Sequence, residues 1–300
     1  MIGKTLSNLL LEQGHKIIIA TRSAKPQTQA QPGLSYAKWD IEAQTIEASA
    51  IENTDYIVHL AGAGVADKRW SKKRKQEIVD SRTNSGALLV KALANNKHQV
   101  KAVISASAIG WYGPDPSIPN PHPFEENAKA NEDFLGETCR LWEASIEPVE
   151  QQGIRLVKLR TGIVLSASGG ALQEFLKPLR FGIAAILGSG KQIVSWIHVD
   201  DLCRIYLKAI EDEKMQGAYN AVAPKPVSNK ELTLDLARAV KKNFFIPMYV
   251  PSFALKLALG EMSIEVLKSA TVSANKIRSA GFNFIYPTIE AAINQLTKKK

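Results

Sequence analysis

The chain opens with apolar residues at helical spacing. Between residues 4 and 13 these positions are Leu6, Leu9 and Leu10, which lie on one face of a helix. Gly14 follows at the point where helices commonly end with a residue in the left-handed conformation. The pattern predicts a first helix that ends at about residue 13.

Short apolar runs then alternate with long helical patterns. The runs that predict strands span residues 16–20, 56–60, 102–105 and 155–160. Helical patterns over residues 71–95 and 133–152 are long enough for crossover connections between parallel strands. Because the strand runs are almost entirely apolar, we expect both faces of the sheet to be buried. The predicted fold class is α/β, with a doubly wound parallel sheet of the Rossmann type.

The alternation becomes irregular after about Leu165. Glycine and proline punctuate shorter elements at residues 168–170, 188–190 and 223–226. We therefore predict a main domain over residues 1–165. A smaller, irregular substrate-side domain over residues 166–300 is expected to return some segments to the main sheet.

Composition places the chain among globular proteins, and its charge adds one question. Hydrophobic residues make up 45% and charged residues 22%, which supplies enough apolar material for a core. The net charge of +9 is compatible with nucleic acid, an anionic membrane or a phosphorylated ligand. Basic residues are concentrated in the run 68–75 and at 298–300, which we interpret as solvated surfaces. We expect a small-molecule substrate, no nucleic acid and no membrane association.

The cysteine pattern and the apolar run lengths indicate the compartment. Cys139 and Cys203 lie in unrelated contexts, so the sequence predicts neither a disulfide framework nor a metal site. This usage is typical of a reducing compartment, and we expect the cytoplasm. No apolar run approaches the roughly 18 to 20 residues of a membrane span.

Residues that follow the predicted strands point to a dinucleotide. Gly3 opens the first helix, and Thr21 and Arg22 stand at the end of the strand 16–20. In dinucleotide-binding units an acidic residue near this place binds the ribose hydroxyl of NAD, whereas an arginine accommodates the 2′-phosphate of NADP. The alternative is an ordinary exposed arginine. Asp40, which follows Trp39, is placed to lie beside an adenine ring.

Small residues follow the strand 56–60. Residues 59–64 read His-Leu-Ala-Gly-Ala-Gly, and so a cofactor ribose and diphosphate could lie against the backbone there. Simple turn geometry explains the same glycines equally well.

Several longer pieces carry a resemblance to a known family. They are Ser-Ala-Ser-Ala-Ile-Gly-Trp-Tyr-Gly (105–113), Arg-Thr-Gly-Ile-Val-Leu (160–165), Ser-Trp-Ile-His-Val-Asp-Asp-Leu (195–202), Tyr-Asn-Ala-Val-Ala-Pro (219–224), Ala-Asp-Lys-Arg-Trp (66–70) and Cys-Arg-Leu-Trp-Glu (139–143). Together with residues 59–62 they resemble the extended short-chain dehydrogenase/reductase superfamily. More narrowly, they resemble its atypical sugar-epimerase-like branch, whose members are called epimerase family proteins and sometimes cell-division inhibitors.

The resemblance implies NADP lying over the carboxyl edge of the sheet. It places Thr21 and Arg22 at the adenosine phosphate, and Leu60 and Ala61 at the ribose and diphosphate. The remaining implied contacts are Glu77 and Arg82 on the next helix and Val164 near the nicotinamide. Glu77 has an alternative as the partner of Lys73 at i, i+4, and Arg82 has one as a polar residue of the core.

The start of the chain departs from the family pattern. Members begin with a strand and a Gly-x-x-Gly-x-x-Gly turn, of which only the last glycine has a counterpart here, Gly3. We therefore expect a missing first strand, roughly ten residues with its turn. A start codon assigned late and a natural truncation both account for this departure.

The catalytic residues depart as well. Family reductases use Ser or Thr with a Tyr-x-x-x-Lys pair, in which lysine lowers the tyrosine pKa for proton transfer. Ser107 matches the serine, but Leu135 and Cys139 occupy the Tyr and Lys positions. Tyr112 is either a displaced phenol or a packing residue. We predict Ser107 and His198 as the catalytic candidates. Asp200 either takes part in proton chemistry beside His198 or caps the helix that follows.

Two functions of different classes follow. The first is an NADP-binding oxidoreductase or epimerase-like protein that acts on a sugar-like or small carbonyl substrate without the usual Tyr and Lys. The second is a non-catalytic protein that senses a nucleotide or binds a partner, with a connection to cell division. The sequence leaves the oligomeric state open.

Overall fold

The computed structural model describes residues 1–22, 31–242 and 244–298. The α-helices are α1 (Ile2–Glu12), α2 (Ser49–Glu52), α3 (Lys72–Asn95), α4 (Phe134–Ile146), α5 (Ala171–Leu179), α6 (Val199–Glu211), α7 (Asn229–Lys241), α8 (Ser252–Leu259), α9 (Ser263–Leu267), α10 (Asn275–Ser279) and α11 (Ile289–Thr297). Three 3₁₀ helices span Ile109–Trp111, Glu147–Gln152 and Gly260–Met262.

The strands are short and distributed along the whole chain. They are β1 (Ile17–Thr21), β2 (Leu34–Asp40), β3 (Thr45–Ile46), β4 (Tyr56–His59), β5 (Ala102–Ala108), β6 (Arg155–Thr161), β7 (Ile163–Ser166), β8 (Gly169–Gly170), β9 (Ile183–Leu187), β10 (Ile193–Val194), β11 (Trp196–His198), β12 (Gly217–Ala221), β13 (Val227–Ser228) and β14 (Ile246–Val250).

The main sheet is parallel and has the order β12-β6-β5-β4. A second sheet, β1-β2-β3, contains the parallel pair β1 and β2. In the described part of the chain, no hydrogen-bonded strand connects these two sheets. Parallel strands present their carboxyl ends at one edge, so each sheet gathers the residues that follow its strands.

Alternating side chains place the main sheet between two helical layers. Leu6 of α1 and Leu202 of α6 share an apolar cluster with Ile104 of β5. The adjacent Val103 points to the other face, in a cluster with Leu89 of α3. Because successive strand residues point to opposite faces, helices cover both sides of the sheet. The predicted doubly wound α/β fold is confirmed.

The long helices begin at side chains that cap their first turn. Ser71 Oγ accepts a 3.1 Å hydrogen bond from the amide of Arg74, and Asp133 Oδ1 accepts one of 2.7 Å from the amide of Gly136. Each bond satisfies an amide that the helix itself leaves without a partner. After α1, Gly14 has a φ of 84°, as expected for a helix end.

The second half of the chain contributes to both the main sheet and a separate group. Helix α6 packs on α1, and β12 is the edge strand of the main sheet. The pair β9 and β14 packs with α5 and α7 around another apolar cluster that includes Leu172, Leu236 and Ile289. Among the described helices, none is long and apolar enough to cross a membrane.

Candidate active site

The start of α1 lies beside the end of β4. A Cβ built on Gly3 would stand 3.7 Å from Leu60 Cδ1. The first turn of α1 carries no acidic residue, and the first amides of such a helix attract an anion. The start of α1 thus lies next to Leu60, where the sequence predicts the diphosphate of a dinucleotide.

Arg22 after β1 and Asp40 at the end of β2 differ in exposure and in hydrogen bonding. Arg22 follows β1 and is exposed to solvent. Asp40, at the end of β2, accepts hydrogen bonds of 3.0 Å from the amides of both Glu42 and Ala43. Arg22 is thus accessible to a phosphate, whereas one oxygen of Asp40 closes a turn. Thr21 is half-buried beside Arg22.

Arg82 supports the loop that follows β4. Its Nη1 donates to the carbonyl oxygens of Ala63, at 3.0 Å, and Ile78, at 2.9 Å. Its guanidinium lies 4.9 Å from the centre of the Trp142 ring. A Cβ at Gly62 would come within 3.1 Å of Arg82 Cζ, so a glycine permits this close approach. Burial lowers the pKa of Arg82, yet arginine keeps its charge in proteins.

Glu77 forms an ion pair with Arg74, a member of the basic run 68–75. Arg74 Nη1 lies 2.8 Å from Glu77 Oε1, and Nη2 of the same guanidinium donates to the Gly64 carbonyl. The hydrogen bond from Arg74 lowers the pKa of Glu77. Among the described residues, Glu77 therefore forms its ion pair with Arg74, which is only 6% exposed, and not with Lys73. The pair anchors the loop after β4 to α3.

Other residues of the basic run contact the C-terminal part of the chain. Arg69 Nη2 donates to the Leu257 carbonyl at 3.1 Å, and Lys75 forms an ion pair with Glu261. The interpretation of residues 68–75 as a solvated surface is therefore wrong for Arg74, which is buried, whereas Arg69 stays exposed and Lys75 is half-buried. The periodicity of α3 gives no sign of these partners, which lie far away in sequence.

Ser107 belongs to a buried ionic cluster. Its Oγ donates a 2.7 Å hydrogen bond to Glu143 Oε1. Arg160 grips the same carboxylate with two bonds, Nε to Oε1 at 2.8 Å and Nη2 to Oε2 at 3.0 Å. Lys158 Nζ stands 3.6 Å from Oε2. Ser107, Glu143 and Arg160 are each 3% exposed, so the carboxylate is compensated inside the protein.

Tyr112 extends this cluster and is fully engaged in it. Its hydroxyl donates to Asn220 Oδ1 at 2.6 Å and accepts from Arg160 Nη1 at 3.2 Å. Arg160 also lies 3.6 Å from the centre of the Trp111 ring. Burial raises the pKa of Tyr112 to about 12. Tyr112 is therefore a packed, hydrogen-bonded core residue at neutral pH.

Leu135 and Cys139 both face the end of β5. A Cβ on Gly110 would lie 3.2 Å from Leu135 Cβ and 3.5 Å from Cys139 Sγ. The Cys139 thiol donates to the Ala108 carbonyl at 3.6 Å, and burial raises its pKa to about 12. The thiol is accordingly neutral at neutral pH and a poor nucleophile.

His198 lies in a different part of the structure. It belongs to β11, which pairs with β7 so that Ile197 stands opposite Val164. The Nδ1 atom accepts the amide of Asp200 at 3.1 Å, which leaves Nε2 to donate to Gln295 Oε1 at 3.0 Å. Burial lowers the pKa of His198.

The cap of α6 differs from the sequence prediction. His198, and not Asp200, occupies the capping position. The carboxylate of Asp201 is buried instead, where it accepts the amides of Ile285, at 2.9 Å, and Tyr286, at 2.8 Å. Asp201 therefore anchors the segment before α11 to the start of α6.

Comparisons with known proteins match this chain over nearly its full length. The sequence model of the NAD dependent epimerase/dehydratase family matches residues 1–221. The chain belongs to this family. A domain of unknown function, DUF1731, matches residues 250–296. The resemblance found in the sequence is thereby confirmed.

Two curated relatives illustrate the match. The epimerase family protein YfhF of Bacillus subtilis is 35% identical over 295 residues, which covers 98% of this chain and 94% of YfhF. The epimerase family protein SSP1921 of Staphylococcus saprophyticus is 36% identical over 301 residues, covering 99% of this chain and 96% of the relative.

Two solved structures resemble this one. The human epimerase family protein SDR39U1 (isoform 2), solved with NADPH, gives a TM-score of 0.86 at 28% identity, with 100% of this chain and 97% of that chain covered. A nucleoside-diphosphate sugar epimerase from Corynebacterium glutamicum gives 0.76 at 31% identity, covering 99% of this chain and 56% of that chain.

Family membership decides some of the predictions and leaves others open. An epimerase-like protein of an NAD(P)-binding family is confirmed, and its substrate stays unknown. The structure brings Gly3 beside Leu60, and Arg82 bonds the loop that follows β4. It puts Ser107 and His198 in separate hydrogen-bond networks. The individual cofactor and catalytic assignments therefore stay predictions.

Sequence reasoning missed Glu143 and Arg160, the two charged partners of the Ser107 cluster. Both lie inside pieces that carried the family resemblance, Cys-Arg-Leu-Trp-Glu and Arg-Thr-Gly-Ile-Val-Leu. The available signal was a charged residue in an otherwise apolar setting, Arg160 at the end of a buried strand. A charge there needs an opposite charge nearby.

Proposed function

We propose that this epimerase family chain binds NADP along the carboxyl edge of β1, β2 and β4 and acts on a sugar-like or small carbonyl substrate. The observation that carries the proposal is the start of α1 beside Leu60, with Arg22 exposed after β1. The human relative solved with NADPH supports the choice of cofactor. Residues 1–165 would form the cofactor part and residues 166–300 the substrate part.

Each predicted cofactor residue has a position that suits a distinct contact. Thr21 and Arg22 would hold the 2′-phosphate, and Asp40 would border the adenine from its turn. Gly3, Leu60 and Ala61 would surround the diphosphate, while Arg82 keeps the loop after β4 in place. Glu77 would face the cofactor from α3, and Val164 would border the nicotinamide. Bound NADP supplies hydride transfer.

Ser107 would act in this reaction through its oxygen lone pairs. Its proton is donated to Glu143, which Arg160 holds in place. A hydroxyl whose proton is committed in this way can still accept a hydrogen bond from a substrate. His198 would serve from the substrate part as a neutral imidazole, because burial lowers its pKa.

Replacement of Arg22 tests the cofactor assignment. We expect Arg22→Ala to weaken NADPH binding by about 10-fold to 100-fold, because a charged hydrogen bond to the 2′-phosphate is lost. NADH lacks this phosphate, so its affinity should not change. Isothermal titration calorimetry with both nucleotides measures the difference.

Lys97→Ala is the control for this titration. Lys97 is exposed and lies between α3 and β5, at the amino edge of the sheet. It should leave both affinities unchanged. If the native chain binds neither nucleotide, or if Arg22→Ala weakens both equally, the assignment of Arg22 to a 2′-phosphate is refuted.

Leu135 and Cys139, which stand where family reductases have the catalytic Tyr and Lys, favour a second, non-catalytic function. Leu135 has no titratable group, and burial raises the pKa of Cys139 to about 12. A protein that binds NADP without turnover, as a nucleotide sensor or a partner-binding protein in cell division, accounts for both. Two measurements separate the two functions: NADPH consumption with a panel of carbonyl substrates, and product formation with a panel of nucleotide-sugar substrates, because an epimerase regenerates its cofactor. Turnover that falls in Ser107→Ala or His198→Ala supports the enzyme, whereas binding with no turnover supports the sensor.

A further inference from the structure

The second half of the chain exposes several large apolar side chains on β14 and on the segments next to it. Phe181 is 84% exposed, Phe244 85%, Ile246 71%, Phe253 73% and Leu257 80%. We call these five residues the β14 face. Scattered exposed apolar residues are ordinary, but a group of this size and exposure marks an interaction surface.

The residues of the β14 face lie around the strand pair β9 and β14 and on helix α8, which comes next in the chain. The amide of Ile246 donates to the Gly182 carbonyl at 2.8 Å, which brings Phe181 beside the start of β14. Phe253 and Leu257 lie on α8, which begins where β14 ends. The first four residues of β14 are all exposed, on both faces of the strand. The strand therefore projects from the protein instead of lining a groove.

The same part of the chain carries a concentrated positive charge. Segments 175–191 and 236–260 contain no Asp or Glu. Their basic residues are Lys177, Arg180, Lys191, Arg238, Lys241, Lys242 and Lys256. With the flanking Glu174, Asp235 and Glu261 included, the two segments carry a net charge of +4, out of +9 for the whole chain.

Most of these basic residues have no acidic partner in the part of the chain that the structure describes. Lys177 pairs with Glu174 and Arg238 with Asp235, both just outside the two segments. For Arg180, Lys241, Lys242 and Lys256, the described residues include no carboxylate in an ion pair with them. Lys241 Nζ donates to the Arg180 carbonyl at 3.5 Å, so basic residues of the two segments are neighbours.

We propose that the β14 face docks on an anionic lipid surface. Exposed aromatic and aliphatic side chains accompanied by Lys and Arg are the combination that binds peripheral proteins to anionic bilayers. Charge argues against a second copy of this chain, because a symmetric contact would bring like charges together. A strand exposed on both faces also suits the insertion of its side chains into a fluid lipid interface.

This proposal changes the expectation of no membrane association. That expectation rested on the absence of an apolar run long enough to span a bilayer, and the helices of the structure agree with it for the described residues. Docking at a surface needs no such run, because the apolar side chains come from two segments, Phe181 and residues 244–257, that the fold brings to the surface.

Sedimentation with lipid vesicles tests the proposal. We expect the full chain to sediment with vesicles of equimolar phosphatidylcholine and phosphatidylglycerol, and not with phosphatidylcholine alone. The double variant Phe244→Ser/Phe253→Ser should bind at least about tenfold more weakly, because two buried aromatic side chains are lost. Lys241→Glu/Lys242→Glu should lose roughly twentyfold or more, and high salt should weaken the binding of the native chain.

Matched controls separate the face from general surface effects. Ile285→Ser removes an exposed apolar side chain elsewhere, and Lys91→Glu/Lys97→Glu reverses exposed charges on and after α3. Both should sediment as the native chain does. Circular dichroism confirms that each variant is folded.

Three results would overturn the proposal. One is a native chain that fails to sediment with the anionic vesicles. Another is equal loss of binding in the control variants. The third is a dimer, measured by light scattering, that Phe244→Ser/Phe253→Ser dissociates, which would make the face a contact between copies.

Discussion

Arg160→Met should lower the free energy of unfolding by about 3 to 5 kcal/mol, which is the loss expected when a buried ion pair is broken by removing one partner. Glu143 would remain 3% exposed with its charge uncompensated except by Lys158, at 3.6 Å. Ser107 and Tyr112 would keep their places but lose the charged group that orders them. Chemical denaturation at neutral pH measures the change.

Two further variants determine the origin of that loss. Glu143→Met/Arg160→Met removes both charges, and we expect it to recover much of the stability, because a well-packed apolar pair can replace a buried ion pair. Arg140→Met breaks the exposed pair with Glu137 and should have a far smaller effect. If Arg160→Met costs no more than Arg140→Met, the cluster does not stabilise the fold.

His59 should make the protein lose stability in mild acid. Its ring is 2% exposed and lies between two hydroxyls, with Nδ1 3.1 Å from Ser105 Oγ and Nε2 2.8 Å from Ser85 Oγ. Burial, and secondarily the charge of Arg82, lowers its pKa from 6.5 to about 4. The folded chain therefore keeps this ring neutral at a pH where the unfolded chain protonates it.

The direction of the effect follows from proton uptake. Between pH 6.5 and about 4 the unfolded chain binds more protons at His59 than the folded chain, so stability falls as the pH falls. The contribution is complete above pH 6.5 and lost below about pH 4. The shift corresponds to about 3 kcal/mol. Denaturation curves collected across this range measure it.

His59→Asn should flatten the dependence of stability on pH. The variant loses the titrating group but keeps a polar side chain between Ser85 and Ser105. His198→Asn should reduce the slope in the same direction, because burial also lowers the pKa of His198. A His59→Asn profile parallel to that of the native chain would show that acid acts elsewhere.

Local patterns predicted the regular elements well. The helical pattern over 71–95 became α3, and Ser71 caps it because its hydroxyl reaches an amide only three residues away. The strand runs near Ile57, Ile104 and Val157 became β4, β5 and β6. Such contacts depend on neighbours in sequence, and therefore the sequence contains their signal.

Local rules failed where a distant group decided the outcome. Asp200 is a residue type that often caps helices, but His198 occupies the capping position of α6. The neighbouring Asp201 is buried, where it accepts hydrogen bonds from the amides of Ile285 and Tyr286. The sequence predicted Arg74 to be one of several solvated charges in a basic run. In the fold its guanidinium contacts Gly64, Asp67 and Glu77.

The sequence by itself determined the α/β class and the family, and it predicted that Gly3, Arg22 and Leu60 lie near the carboxyl ends of parallel strands. These features follow from periodicity and from motifs of adjacent residues. Tertiary structure alone decided which charges meet. Ser107, Glu143 and Arg160 come from three elements, and the β14 face joins side chains from two segments about 60 residues apart. Burial and electrostatics act through space, so only the folded chain shows which charges are compensated and which remain available to a partner.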